Sequence, residues 1–261
     1  MSSTSILVSG DSLLRTITLH RPERRNAMTP EMQMELIAAL EDAAASNCRA
    51  VVLSGSGEAF CSGLDLATLQ QLGSQSAAES RADAERVARL FLALHELPIP
   101  SIAAVHGPAI GGGAGLAAIC DFTLATPAAK FGFTEVRIGF VPAVVSAFLT
   151  LQIGDKRGRE LLLTARILDA QEAARLGLVN EIVPADKLEQ RVRALAEELA
   201  ANSPQAIRTT KRLLAAQNRA WLDAAIAEAI EASVKAREAA DFREGVAAFL
   251  EKRKPLWTKS S

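Results

Sequence analysis

The sequence predicts an α/β fold followed by an α-helical region. Three observations carry this reading. Strand-like and helix-like segments alternate up to about residue 183, and the chain from about Asp186 onward is almost wholly helical in pattern. Hydrophobic residues make up 49% of the 261, enough for one substantial core. We therefore divide the chain into an α/β core, 1–200, and a C-terminal helical region, 201–261.

The elements follow in order. "ILVSGDSLLRTITLH" reads as two short strands around a Gly10–Asp11 turn, with Ile17 and Leu19 alternating against polar neighbours. Thr29 is a suitable N-cap and Pro30 suits the first helical position. Met32, Leu36, Leu40 and Ala43 then share one face of a helix running to about Asn47. "RAVVLSG" is a strand, Val87, Leu90, Phe91 and Leu94 have helical spacing, and "PSIAAVHG" is a buried strand that leads into a glycine run. "CDFTLATPAAKF" gives a further strand and turn, and two short helical segments follow. In the second of these, Asp169 and Glu172 have capping-box spacing and Gly177 supplies the stop. "NSPQ" restarts a helix at Ser203 and Pro204, and the alanine-rich amphipathic tail fits either a lid on the core or an oligomer surface.

Composition excludes several function classes. With 29 Lys and Arg against 30 Asp and Glu, nothing attracts nucleic acid or an anionic membrane in general, so an anionic ligand must be met by local positive charge. Cys48, Cys61 and Cys120 are odd in number and lack metal-ligand spacing, which speaks against a disulfide framework and a zinc site and for reduced thiols in the cytoplasm. The start "MSSTSILVSG" has no basic segment before a long apolar one, and no run approaches a membrane span.

The chemistry concentrates in two glycine-bearing loops. In "AIGGGAGLAAICDF", residues 109–122, Gly111 to Gly113 stand where a buried strand gives way to a helix beginning near Ala114. The first amides of a helix lack intrahelical partners and sit at its positive end, so an oxyanion placed there is stabilised. Close strand-to-helix packing would use the same residues without any ligand. Gly113, Gly115 and Ala118 also fit the dinucleotide pattern G-x-G-x-x-A, with Glu135 about twenty residues on, which keeps an NAD-dependent oxidoreductase as an alternative. In such a site, however, the acid stands at the end of the second strand, whereas Glu135 follows the end of "DFTLAT". No P-loop and no nucleophile elbow is present. The other loop, "AFCSGLDL", residues 59–66, again joins a strand to a helix. Two such junctions, each directing one amide at a shared oxygen, are what a thioester enolate needs.

These segments, with "FGFTEVRIGFVPA", the leading "LHRPERRNAM" and the closing "FLEKRKPLW", resemble the enoyl-CoA hydratase/isomerase (crotonase) superfamily over nearly the whole chain and in the same order. The resemblance implies a crotonase-like spiral of strand-strand-helix units, with C-terminal helices that assemble homotrimers and often hexamers. It implies an acyl-CoA thioester substrate of fatty acid metabolism, and no cofactor or metal apart from the coenzyme A of the substrate. By position it gives the oxyanion amides to Leu64 and Gly112, the adjoining pocket wall to Asp65, Leu66 and Ala67, phosphate contacts to Arg24 and Arg25, and a backbone contact to Ala27. Phe249 and Lys252 match positions that reach the coenzyme, sometimes across a subunit boundary; Arg24, Arg25 and Lys252 could equally be solvated surface charges.

Family hydratases use two glutamates to orient a water and pass on its proton. The second is present as Glu135, and the first falls on Gly115, which has no side chain to carry a proton. The two-carboxylate site is broken unless another carboxylate reaches in. Glu135 alone, with a raised pKa and beside a stabilised enolate, can still take a proton from one carbon and return it to another. The expectation is an enoyl-CoA enzyme acting by hydration or double-bond migration with Glu135 as acid and base. A single-acid 3-enoyl-CoA to 2-enoyl-CoA isomerase is the narrower alternative, and a non-catalytic CoA-binding member the remote one. His106 and Cys61 are read as structural.

Overall fold

The computed structural model describes residues 4–257, so the outermost residues of the expected 1–200 and 201–261 regions lie outside the described residues. The chain opens with β1 (Ile6–Gly10) and β2 (Leu14–Leu19), paired antiparallel with Ile6 opposite Leu19. The turn is longer than the sequence suggests. Gly10 stays in β1, and Asp11 Oδ1 accepts the N–H groups of Leu13 and Leu14 at 2.8 and 2.9 Å to close the loop. In α1 (Pro30–Ala45), Thr29 accepts the Met32 N–H at 3.2 Å, and Met32, Leu36, Leu40 and Ala43 are buried as their spacing predicts.

After β3 (Ala50–Gly55) come α2 (Leu66–Leu72) and α3 (Ala77–His95), the latter started by a reciprocal Ser76–Glu79 capping box. Next are β4 (Ser101–Val105), β5 (Pro108–Ile110), α4 (Gly112–Ile119), β6 (Phe122–Ala125), β7 (Lys130–Gly132) and α5 (Ala143–Ile153). The units β4–β5–α4 and β6–β7–α5 each give their first strand to a six-stranded sheet, ordered β1-β2-β3-β4-β6-β9, and their second to a three-stranded sheet, β5-β7-β8. That alternation is the expected spiral. Then follow α6 (Asp155–Thr164), β8 (Leu168–Asp169), α7 (Ala170–Leu176), β9 (Glu181–Ile182) and α8 (Leu188–Ala200). Only half of the expected capping box forms at α7: Asp169 accepts the Glu172 N–H, but the Glu172 carboxylate pairs with Arg166 at 2.6 Å.

The helical region comprises α9 (Pro204–Gln217), α10 (Arg219–Glu238) and α11 (Ala240–Leu250). Leu222, Ile226 and Ala229 of α10 enter the same apolar core as α3 and α5. α9 buries no residue and leaves Leu213 and Leu214 exposed.

Asn26 ties the segment before α1 to the loop after β3. It is fully buried with φ +56°, a conformation Asn tolerates better than most residues, and its Nδ2 donates at 2.8 Å to the carbonyls of Ser56 and Ala59. Its Oδ1 accepts the Arg21 N–H at 2.9 Å. Asn26→Ala strips these buried groups of partners and should cost about 2–4 kcal/mol. Urea unfolding is expected to show a lower midpoint with an unchanged slope.

Candidate active site

Backbone hydrogen bonds bring the two glycine loops together. Cys61 donates its N–H to Pro108 O at 3.1 Å and accepts the Ile110 N–H at 2.9 Å, so the first loop runs alongside β5. Met28 donates to Gly63 O at 2.7 Å and accepts from the Asp65 N–H at 2.9 Å. A trans peptide points its C=O and N–H in opposite directions, so fixing Gly63 O on Met28 turns the Leu64 N–H away from Met28. On the second loop, the Gly111 N–H is taken by Gly132 O at 2.7 Å and Gly111 O accepts from Gly115 at 3.0 Å. The same planarity aims the Gly112 N–H out of the N-terminus of α4, which starts at Gly112 and not near Ala114. Neither the Leu64 nor the Gly112 N–H has a partner among the described residues.

The three glycines do different work. Gly111 has φ +55°, and a Cβ there would stand 3.2 Å from Glu135 Oε1. Gly112 offers its amide. At Gly113 a Cβ would fall 2.4 Å from Cys61 O, so that glycine permits the close contact of the loops. The dinucleotide alternative fails on this ground: Gly113, Gly115 and Ala118 are buried inside α4 and leave no glycine loop open to a pyrophosphate.

Glu135 begins a 3-10 turn, Glu135–Ile138, that follows β7 and ends at Gly139 with φ +67°. Its Oε2 is enclosed and has no hydrogen-bond partner. Burial pushes the carboxyl up to about 7, its own N–H pulling in the opposite direction. Leu64, Gly111, Gly112 and Glu135 share the wall of a cavity of about 730 Å³.

Asp65, Leu66, Ala67, Arg24, Arg25, Ala27 and Phe249 also line this cavity, as the sequence led us to expect, whereas Lys252 does not. The Arg24 and Arg25 side chains have no acidic partner among the described residues. Of the other carboxylates on the wall, Asp65 caps α2 through the Ala67 N–H at 2.9 Å and pairs with Arg21 at 3.0 Å, Asp83 is held by Arg86 and Arg237, and Glu23 stands beside Arg24 and Arg25 in the chain. A Cβ on Gly115 would lie 2.9 Å from both Phe91 Cζ and Val145 Cγ2, so that position is sealed by packing. His106 Nε2 bonds Gly57 O at 3.0 Å, and the buried Cys61 thiol, pushed up to about 12, is no nucleophile. Sequence reasoning missed Asp83, Gln33 and Arg237, which also line the cavity. Their only signal is polarity at positions that fold inward.

Comparison with known proteins gives one answer. The model of the family described as "Enoyl-CoA hydratase/isomerase" matches residues 11–260. A Thermus thermophilus protein provisionally named an enoyl-CoA hydratase is 45% identical over 240 residues, covering 92% of this chain and 95% of that one. Crotonyl-CoA hydratase of Syntrophomonas wolfei is 33% identical, covering 97% and 98%. The crystal structure of an enoyl-CoA hydratase/isomerase from Xanthobacter autotrophicus superposes with a TM-score of 0.88 at 30% identity, covering 97% and 98%.

The Glu135 environment fixes a pH dependence of stability. With a folded value of about 7 against an ordinary 4.5, the folded state binds the proton more tightly. Stability therefore falls as pH rises from about 4.5 to 7, by at most about 3 kcal/mol. Glu135→Gln removes this penalty. Thermal melts should show the variant more stable than the parent above about pH 7, with the gap closing below about pH 4.5.

Proposed function

Because the chain belongs to the enoyl-CoA hydratase/isomerase family, its reaction turns on how its acid and base groups depart from the two-glutamate arrangement, and we propose that it is a single-acid isomerase converting 3-enoyl-CoA to 2-enoyl-CoA. The observation that carries this reading is the contrast between Glu135, enclosed and without an ion-pair partner, and Gly115, sealed under Phe91 and Val145.

In the proposed reaction the thioester oxygen accepts the Leu64 and Gly112 N–H groups. The Glu135 carboxylate removes a proton from C2 of the 3-enoyl group; the C2–H electron pair delocalises over C4, C2 and the thioester oxygen, where the two amides stabilise the charge. Glu135 then returns the proton to C4, and the double bond settles between C2 and C3. No water is consumed. A carboxyl with a pKa near 7 suits both halves of this cycle, because its two protonation states differ little in free energy at neutral pH. Arg24 and Arg25 at the mouth take the coenzyme phosphates, with Ala27 and Phe249 beside them. Lys252, outside the cavity wall of its own chain, would reach the coenzyme of another subunit in a trimer or hexamer assembled through the exposed faces of α9 to α11. The three unpaired thiols support a cytoplasmic location.

The test incubates the purified protein with a 2-enoyl-CoA and, separately, a 3-enoyl-CoA in deuterated water. Double-bond migration with deuterium entering at C2 or C4, and no 3-hydroxyacyl-CoA, is expected. Rapid hydration would overturn the reading. Glu135→Gln should lower kcat by about 10²–10⁴-fold while CoA affinity stays within about twofold. The parent's kcat/KM is expected to rise with pH through a midpoint at about 7, where the base is half ionised, and to level off above it; a profile flat down to about pH 5 would remove Glu135 from the role of base.

A further inference from the structure

We propose that the cavity recognises an acyl group carrying a carboxylate away from the thioester, with Arg237 as the residue that selects for it. This rests on reading the cavity as an acyl-CoA site.

Arg237 projects from α10 with its side chain only 4% exposed, and it forms part of the cavity wall. Its Nη2 donates to Asp83 Oδ2 at 2.6 Å and lies 3.5 Å from Ser233 Oγ, its Nη1 reaches Gln75 Oε1 at 3.2 Å, and its Nε–H has no acceptor. Asp83 is shared with Arg86, whose Nε donates to Gln33 Oε1 at 2.8 Å. Two guanidinium groups thus share the Asp83 carboxylate; Arg86 also lies near Glu31, whose carboxyl is held below its ordinary range by its own backbone N–H and the Thr29 hydroxyl with a smaller contribution from Arg86, and the Arg237 guanidinium stands 5.7 Å from the centre of the Phe140 ring. Arginine does not shed its proton at any relevant pH, so the charge on Arg237 is permanent.

A tether between α3 and α10 would need one guanidinium and one carboxylate with every donor satisfied. Here a buried donor is left over and one carboxylate is shared by two guanidinium groups, in the wall of a cavity that Val87, Phe91, Val144 and Val145 also line. A buried donor without an acceptor is costly. A ligand carboxylate would supply the missing acceptor, and the planar fork of Arg237 is the group best shaped to receive it. The same site penalises a methyl-ended chain, which must cover the charge without answering it.

The experiment measures binding and not turnover. Saturated, unreactive acyl-CoA thioesters are compared by calorimetry on the intact protein, in two series of matched chain length, one ending in methyl and one in carboxylate, with free CoA as baseline. At the best length the carboxylate series is expected to bind about tenfold or more tighter, and Arg237→Met to bring the ratio near one. Arg237→Gln, which keeps a polar side chain, should also collapse the ratio, and it stands in if the Met variant does not fold. Equal or tighter binding of the methyl series, or a preference that survives in either folded variant, overturns the inference alone. Failure of both series to bind better than free CoA overturns it together with the acyl-CoA reading. A preference that holds while double-bond migration fails overturns only the isomerase.

Discussion

The site depends on one constraint, the lateral pairing of the loop at Cys61 with β5. Two hydrogen bonds, to Pro108 O and from the Ile110 N–H, hold a strand-to-helix loop from one part of the spiral against the strand-to-helix loop of the next. Everything nearby follows from that contact. It demands no side chain at Gly113, which lies against Cys61, and positive φ at Gly63 and Gly111, whose backbones turn past one another. It leaves two peptides whose carbonyls are bonded to Met28 and Gly115 and whose N–H groups, those of Leu64 and Gly112, have no partner among the described residues. An unsatisfied amide in a folded protein is costly, and these two are held at one cavity by the surrounding pairing.

The second consequence is the state of Glu135. The turn after β7 places its carboxyl against Gly111, in space that a Cβ there would crowd, and the cavity wall closes over Oε2. Dehydration without a neighbouring positive charge is what raises the carboxyl; Asp65 and Asp83, on the same wall but beside arginines, are placed in the opposite surroundings. One cavity thus holds carboxylates paired with guanidinium groups and one, that of Glu135, enclosed without an ion-pair partner.

Much of this was legible in the sequence where the signal is local. Thr29–Pro30, the face of α1 and the order of strands and helices can be read from neighbours within a few residues. The two glycine loops could be read because close backbone approach admits few residues other than glycine. What stayed hidden was of two kinds. Backbone choices among near-equal options, such as the longer turn at Asp11–Leu13, the half-formed cap at Asp169 and the start of α4 at Gly112, depend on which partner a polar group finds in space. The cluster of Asp83 with Arg237 joins residues 154 apart, on two separate helices, α3 and α10. No periodicity announces such a contact, because it depends on how two helices distant in sequence pack together.

Gly115 shows why a departure from a family pattern has to be judged in three dimensions. Read as a letter, it is a missing acid, and another carboxylate might be sought to replace it. In the fold it is a filled volume: Phe91 of α3 and Val145 of α5 pack where any side chain would begin, and Phe91 is itself held edge-on by Phe148 with ring centres 5.9 Å apart. Close-packed interiors do not yield such space without rearrangement of several side chains. The change at Gly115 is therefore coupled to the aromatic packing of α3 against α5, and one substitution to glutamate would meet a wall before it met a substrate.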